Sequence, residues 1–256
     1  MNDQTPKNGA ATQMPLFYSH PMPLDAKRHA TFGMRDDCTF KFTSGINAVP
    51  VNLIEMPQVC HFYPIVFSAD GTGTPIAILG VRDDENLFVN AKGVWAENKY
   101  IPAYIRRYPF IFSEAPGGEQ LTLCVDMNTD FISEKAKPGQ EFFTKDGKAT
   151  QLSSNALEFC KSYHAAAQQT LPFGKALAEH GLLVTRSVEL NIADNNRVNF
   201  SGFAVIDEEK FQKLDDKVFL DWRKKGYLPF IYAHLFSAMN WSDLTRRLAE
   251  KMQKAA

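Results

Sequence analysis

No two of the four cysteines (Cys38, Cys60, Cys124 and Cys160) stand closer than 22 positions, so the Cys-x-x-Cys pairs of redox and zinc sites are missing. Apolar or aromatic neighbours are typical, as in Leu123-Cys124-Val125 and Phe159-Cys160. That pattern reads as buried, reduced thiols, which fit a cytoplasmic protein. No run approaches the roughly 18 apolar residues of a membrane helix. The longest, Leu228 to Met239, is broken by Pro229, His234 and Ser237. This excludes a membrane-spanning segment and a permease. The first 14 residues are polar and lack the apolar stretch of a secretory signal, which leaves signal-independent export as the alternative to a cytoplasmic location. An excess of one charge is absent too. Lys and Arg number 28, Asp and Glu 29, for a net charge of −1, and so even a balance gives no field to gather nucleic acid.

Catalytic signatures are equally scarce. There is no Gly-x-Ser-x-Gly elbow to present a nucleophile. Gly71-Thr72-Gly73 lacks the third glycine and the following helix of a dinucleotide loop. Gly174-Lys175-Ala176 lacks the hydroxyl with which a phosphate loop holds magnesium. Asp126-x-Asn128-x-Asp130 begins like a calcium loop, but Phe131 and Lys137 occupy the places of its essential Gly and Glu, so it reads as a solvated turn. The six histidines include no i, i+4 pair that would set two ligands on one helix face. No metal, cofactor or catalytic residue is therefore expected, although a site assembled from distant residues leaves no sequence mark.

What is present is a 256-residue chain, 45% apolar and 22% charged, which can bury a core without staples. Residues 1–14 read as a disordered tail, and 15–256 as a single α+β domain with no low-complexity linker. Pro15, Pro21 and Pro23 mark an extended arm through Leu24, suited to a surface or sheet edge. The N-terminal half is β-rich. Ile65–Phe67 and Ile76–Leu79 flank Asp70-Gly71-Thr72-Gly73, Asn86–Asn90 reads as a further strand, and Phe110–Phe112 and Leu121–Val125 flank Pro116-Gly117-Gly118. A shift of 45 lays Met56-Pro57 on Ile101-Pro102, Tyr63–Ser68 on Tyr108–Ser113, and Ile76 and Ile78 on Leu121 and Leu123. These are two pseudo-repeated strand-turn-strand units, each entered by a short helix and a Tyr-Pro corner.

A helical layer closes the chain. Asn155 to Glu158 has capping-box spacing, Leu157 to Leu171 follows as one apolar helix face, and Pro172 opens a second helix ending at Gly181. A hairpin over Val188–Ile192 and Val198–Phe200 turns at Asp194-Asn195-Asn196, and Asp207-Glu208-Glu209 opens the first of four more helices. His234 lies on a helix apolar nearly all round, and is expected to be a hydrogen-bonded core residue. Tyr63 and Tyr108, held extended by Pro64 and Pro109, are expected to be buried and equivalent strand-entry residues. Arg106 and Arg107 precede only the second copy, where the first has His61 and Phe62, so they are the candidates for contacting an anionic ligand.

Several stretches together resemble the SapC family of bacterial proteins. They include Pro15-Leu-Phe-Tyr18, Asn47-Ala-Val-Pro50, Tyr63-Pro-Ile-Val-Phe67, Tyr100-Ile-Pro-Ala-Tyr-Ile-Arg-Arg-Tyr-Pro-Phe110 and Ile231-Tyr-Ala-His-Leu235 with Trp241, in order over residues 15 to 250. The resemblance implies a link to a bacterial surface layer or its assembly, without an enzymatic role, and partners among surface-layer proteins or copies of itself. It brings no catalytic residues with it. The alternative from the residues is a cytoplasmic small-molecule-binding or enzyme-accessory protein.

Overall fold

Proline sets the first strand. Its fixed φ and missing donor suit an edge, and β1 (Pro21–Pro23) forms the edge of a three-stranded antiparallel sheet ordered β1-β7-β6, with β6 at Phe110–Glu114 and β7 at Leu121–Asp126. The structure, a computed structural model, describes residues 14–114, 121–192 and 196–255. The expected tail (Met14 apart), the turn at Pro116–Gly118 and the turn residues Asp194 and Asn195 lie outside them. A small two-stranded sheet joins β2 (Gly33–Met34) to β8 (Ile132–Ser133). The larger sheet is five-stranded and antiparallel, ordered β3-β5-β4-β10-β9. Its strands are β3 (Ala48–Pro50), β4 (Ile65–Ser68), β5 (Pro75–Ile78), β9 (Leu183–Ile192) and β10 (Asn196–Ile206). The helices are α1 (Met56–Val59), α2 (Ala103–Arg107), α3 (Gln151–Glu179), α4 (Glu208–Gln212), α5 (Asp216–Lys225), α6 (Leu228–Ser237) and α7 (Trp241–Ala255). The architecture is α+β, as expected.

The two repeated units share their order of elements but not their detail. Each is a short helix, a Tyr-Pro corner and a hairpin, yet one hairpin lies in the larger sheet and the other in the smaller. Val66 pairs with Ile76, whereas its counterpart Ile111 pairs with Cys124 and not with Leu121. The correspondence therefore slips on the second strand. The corners differ as well, because Tyr108–Pro109 is cis. The expected strand over Asn86–Asn90 reduces to one bridge between Val89 and Trp95. Asparagine side chains take over the ladder's hydrogen bonds there. The amide of Asn86 bonds Thr43 O and Phe88 N, and Asn90 Oδ1 accepts from Lys92 N and Val94 N.

The helical expectation needs a larger correction. One helix, α3, runs 29 residues through Pro172, capped by Thr150 and not by Asn155. Pro172 is exposed and loses only its own N–H bond, while Phe173, Gly174 and Leu177 beyond it are anchored in the core. The apolar face drawn to Leu171 is displaced, since Leu171 is exposed and Ser153 and Thr170 are buried. Their hydroxyls are satisfied, Ser153 by Phe142 O and Thr170 by Ala166 O and Leu53 N. Gly174 also meets the backbone of Gly73, where a Cβ would stand 2.5 Å from Gly73 O. The two glycine motifs that fail as phosphate loops thus meet as a backbone contact. Cys160 places α3 in the smaller core with Phe110, Val125 and Phe142, and Phe173 and Leu177 place it in the larger.

His234 joins β4 to β10. Their ladder pairs Ala204 with Phe67 and Phe203 with Ser68, and stops before Ile206 comes opposite Ile65. In that gap His234 Nε2 accepts from Ile206 N at 3.1 Å and Nδ1–H donates to Ile65 O at 2.8 Å. Ser237 accepts from Ile65 N at 2.9 Å, so α6 satisfies both polar groups that Ile65 turns toward β10. Burial lowers the His234 pKa from 6.5 to about 4. Above pH 6.5 the ring is neutral folded and unfolded. As pH falls from 6.5 toward 4 the unfolded chain takes up the proton first, and stability drops by about 1.4 kcal/mol per pH unit from this group. His29, whose pKa burial also lowers, adds to the loss in the same window. In urea titrations at pH 7 and pH 5, His234→Gln is expected to remove about 2 kcal/mol of the pH-dependent loss. An unchanged loss would contradict the buried, neutral imidazole.

Candidate functional site

Helix α2 is short because proline bounds it twice. Pro102 presets its entry, and Tyr108, before Pro109, is held extended at φ −60° and ψ 136°. Arg106 and Arg107 therefore share the last turn, where consecutive side chains diverge by roughly 100°. They enter two cavities between α2 and α3 that share Tyr163 as a wall.

The Arg106 cavity, about 260 Å³, is bounded by Asn52, Glu55, Gln58, Tyr100, Phe159 and Tyr163 among others. Glu55 is buried and fully engaged. Oε1 accepts from Asn52 N at 2.9 Å, and Oε2 accepts from Ala103 N at 2.8 Å and from Tyr100 OH at 2.9 Å. Arg106 donates to the same phenol at 2.9 Å and to Ile101 O at 2.9 Å, and lies over the rings of Tyr100 and Phe159. Burial, then the Glu55 charge, pushes Tyr100 up to about 12, so the phenol stays protonated and links cation to carboxylate.

The Arg107 cavity, about 230 Å³, is lined by Pro15, Ile111, Phe112, Cys160, His164 and Ala167 beside the tyrosines. The half-buried guanidinium lies 5.5, 4.7 and 4.4 Å from the ring centres of Tyr18, Tyr104 and Tyr163. Its Nε donates to Tyr18 OH at 3.2 Å, and that phenol donates to Phe110 O at 2.6 Å. Among the described residues no carboxylate pairs with it, and the ionisable groups acting on it are phenols. Burial pushes the Tyr18 and Tyr163 phenols upward and Cys160 to about 11, with the Arg107 charge opposing each shift. Tyr18, Tyr163 and Cys160 are thus held in their protonated, uncharged forms.

The structure brings both sequence candidates to one seam. It adds Glu55, Tyr100, Tyr18, Tyr104 and Tyr163. Asn52 to Glu55 has the i, i+3 spacing of a capping box and was legible. Tyr163 sits on a helix face with nothing in its sequence to single it out. The Tyr-Pro residues lie apart from the cavities. Tyr63 is wholly buried, donates to Tyr100 O and accepts from Trp95 Nε1 at 3.3 Å. Tyr108 stacks on Phe42 at 4.5 Å. The two phenols therefore have different surroundings, whatever the likeness of their corners. Pro64 precedes β4 with its carbonyl accepting from Ile78 N.

The N-terminal arm reaches the Arg107 cavity through Pro15 and the guanidinium through Tyr18, and Asp126 holds the arm. That carboxylate is fully buried, not solvated as the turn reading has it. Its oxygens accept from Ser19 N at 3.0 Å, His20 N at 2.9 Å and Asn128 N at 3.1 Å. Among the described residues no group of three or more His, Cys, Asp or Glu is placed to hold a metal ion. Asp126→Ala is expected to lower hydrogen-exchange protection of the Ser19 and His20 amides at least roughly tenfold, while core amides of β4 stay protected. Unchanged protection at both would show that the arm is fixed without Asp126.

Residues 24–244 match the SapC family, a span that takes in both arginines, Glu55, Tyr163 and His234 and starts just beyond Pro15 and Tyr18. No curated protein and no solved structure matches the chain. With a match over nearly its whole length, the chain belongs to the SapC family.

Proposed function

We propose that the chain is a binding protein for a small organic anion held at Arg107. One observation carries this reading. A half-buried guanidinium lines a cavity with three phenols around it and no carboxylate partner among the described residues. Partial burial of an unpaired cation is costly unless a counter-ion arrives, so an anion gains most at this point of the fold. Arg106 differs, because Tyr100 ties it to Glu55. No group at the seam is set up as a nucleophile beside a base, which supports binding over catalysis. Four free cysteines support a cytoplasmic setting.

A thermal-shift panel of organic carboxylates, sulfonates and phosphates at fixed ionic strength tests it. At least one class is expected to raise the midpoint of the wild type and of Arg106→Gln, and to leave Arg107→Gln unmoved. No response to any class, or an equal response in Arg107→Gln, would refute the reading.

A second reading, association with a surface layer or with further copies of the chain, is supported by the family and by one surface feature. Tyr232, Phe236 and Met239 expose apolar side chains along α6 and the turn after it. Such a patch suits a protein contact. Cell fractionation and sedimentation decide this one: a monomer found wholly in the cytosol counts against it.

A further inference from the structure

We infer that the ligand of the Arg107 cavity is a small monocarboxylic acid, its carboxylate on the guanidinium and its apolar body against Ile111, Phe112 and Ala167. This deepens the anion-binding reading and rests on it.

Charge is the first argument. The lining holds two basic side chains, His164 and Arg107, and the Arg107 guanidinium is the permanent cation without a carboxylate partner among the described residues, since Arg106 is spent on Tyr100 OH and Ile101 O in the neighbouring cavity. A singly charged ligand neutralises it. A phosphate dianion or a nucleotide would bring surplus charge among aromatic rings, at a desolvation cost with nothing to offset it. Geometry is the second. Nε is engaged by Tyr18 OH, which leaves the Nη donors of a planar fork, the arrangement that a flat carboxylate meets with two parallel hydrogen bonds.

Size and lining agree. A volume of about 230 Å³ falls below the roughly 300–1,000 Å³ of pockets that hold drug-sized ligands, so the acid is small. Apart from Arg107, His164, Cys160 and the two tyrosines, the lining is hydrocarbon, with Pro15, Ile111, Phe112 and Ala167. That side rewards an aliphatic chain or a single ring over a sugar or a peptide. Pro15 lies on the arm that Asp126 fixes, so the far wall is in place before the ligand arrives.

Calorimetric titration at fixed ionic strength tests the inference with benzoate, hexanoate, inorganic phosphate and benzamide as probes. Benzoate or hexanoate is expected to bind the wild type, at least roughly tenfold more weakly to Arg107→Gln, and benzamide not to bind. Ala167→Phe, which leaves the arginine in place and fills the apolar end, is expected to abolish carboxylate binding; this variant separates loss of the site from loss of the charge. If phosphate binds through Arg107 and neither carboxylate does, the anion reading stands and the carboxylate inference falls. Benzamide binding as tightly as benzoate would remove the role of charge. If none of the anions binds, both fall.

Discussion

A single buried carboxylate, through the arm it holds, sets one wall of the Arg107 cavity. Asp126, at the end of β7, takes the backbone N–H groups of Ser19 and His20, and so ties the N-terminal arm to the three-stranded sheet. Tyr18 is thereby set between Phe110 O and Arg107, and Pro15 at the cavity wall. The carboxylate is satisfied by main-chain donors, and no cation pairs with it among the described residues. The β1–β7 pairing that continues the arm is short, and two of its three arm residues are prolines that cannot donate, so the two main-chain bonds to Asp126 add to a weak edge.

Two adjacent arginines then meet different fates for a reason that begins in the backbone. A helix of five residues between two prolines places them side by side, and the pitch of the helix sends them apart. One finds a phenol already bound to a buried glutamate. The other finds only phenols. The rings of Tyr18, Tyr104 and Tyr163 offer cation–π attraction of about 0.5–2 kcal/mol each, which partly offsets the cost of burying Arg107 and leaves its charge available to a ligand. The same pairing of tolerance and demand appears in the larger sheet, where α6 spends His234 and Ser237 on Ile65 and leaves the opposite side of the helix, with Tyr232 and Phe236, bare.

Much of this was legible in the chain. The alternating residues of β9 and β10, the arm prolines and the acidic start of α4 each report a local rule, and the structure follows them. Where local rules misled, a distant contact had overridden them. Pro172 should open a helix, but Phe173 and Leu177 gain more by continuing one into the core. Asp126 looked like a surface turn because its acceptors' partners, Ser19 and His20, lie more than a hundred residues upstream. The seam shows the same division. Arg106 and Arg107 stood out as a local asymmetry between two similar segments, whereas Tyr18 and Tyr163 reach Arg107 only through tertiary packing, which no spacing records.

On the anion-binding reading, Arg107 is kept as an unpaired charge for a ligand and is not a structural strut. Urea denaturation of the wild type and of Arg107→Met, both free of organic anions, tests it most directly. Methionine keeps the apolar stem and removes the charge, so the cation–π attraction is lost together with the larger cost of burying an unpaired guanidinium. Arg107→Met is expected to be at least as stable as the wild type. A loss of more than about 2 kcal/mol would contradict it, and would make the aromatic surround of Arg107 a finished structural contact with nothing left to bind.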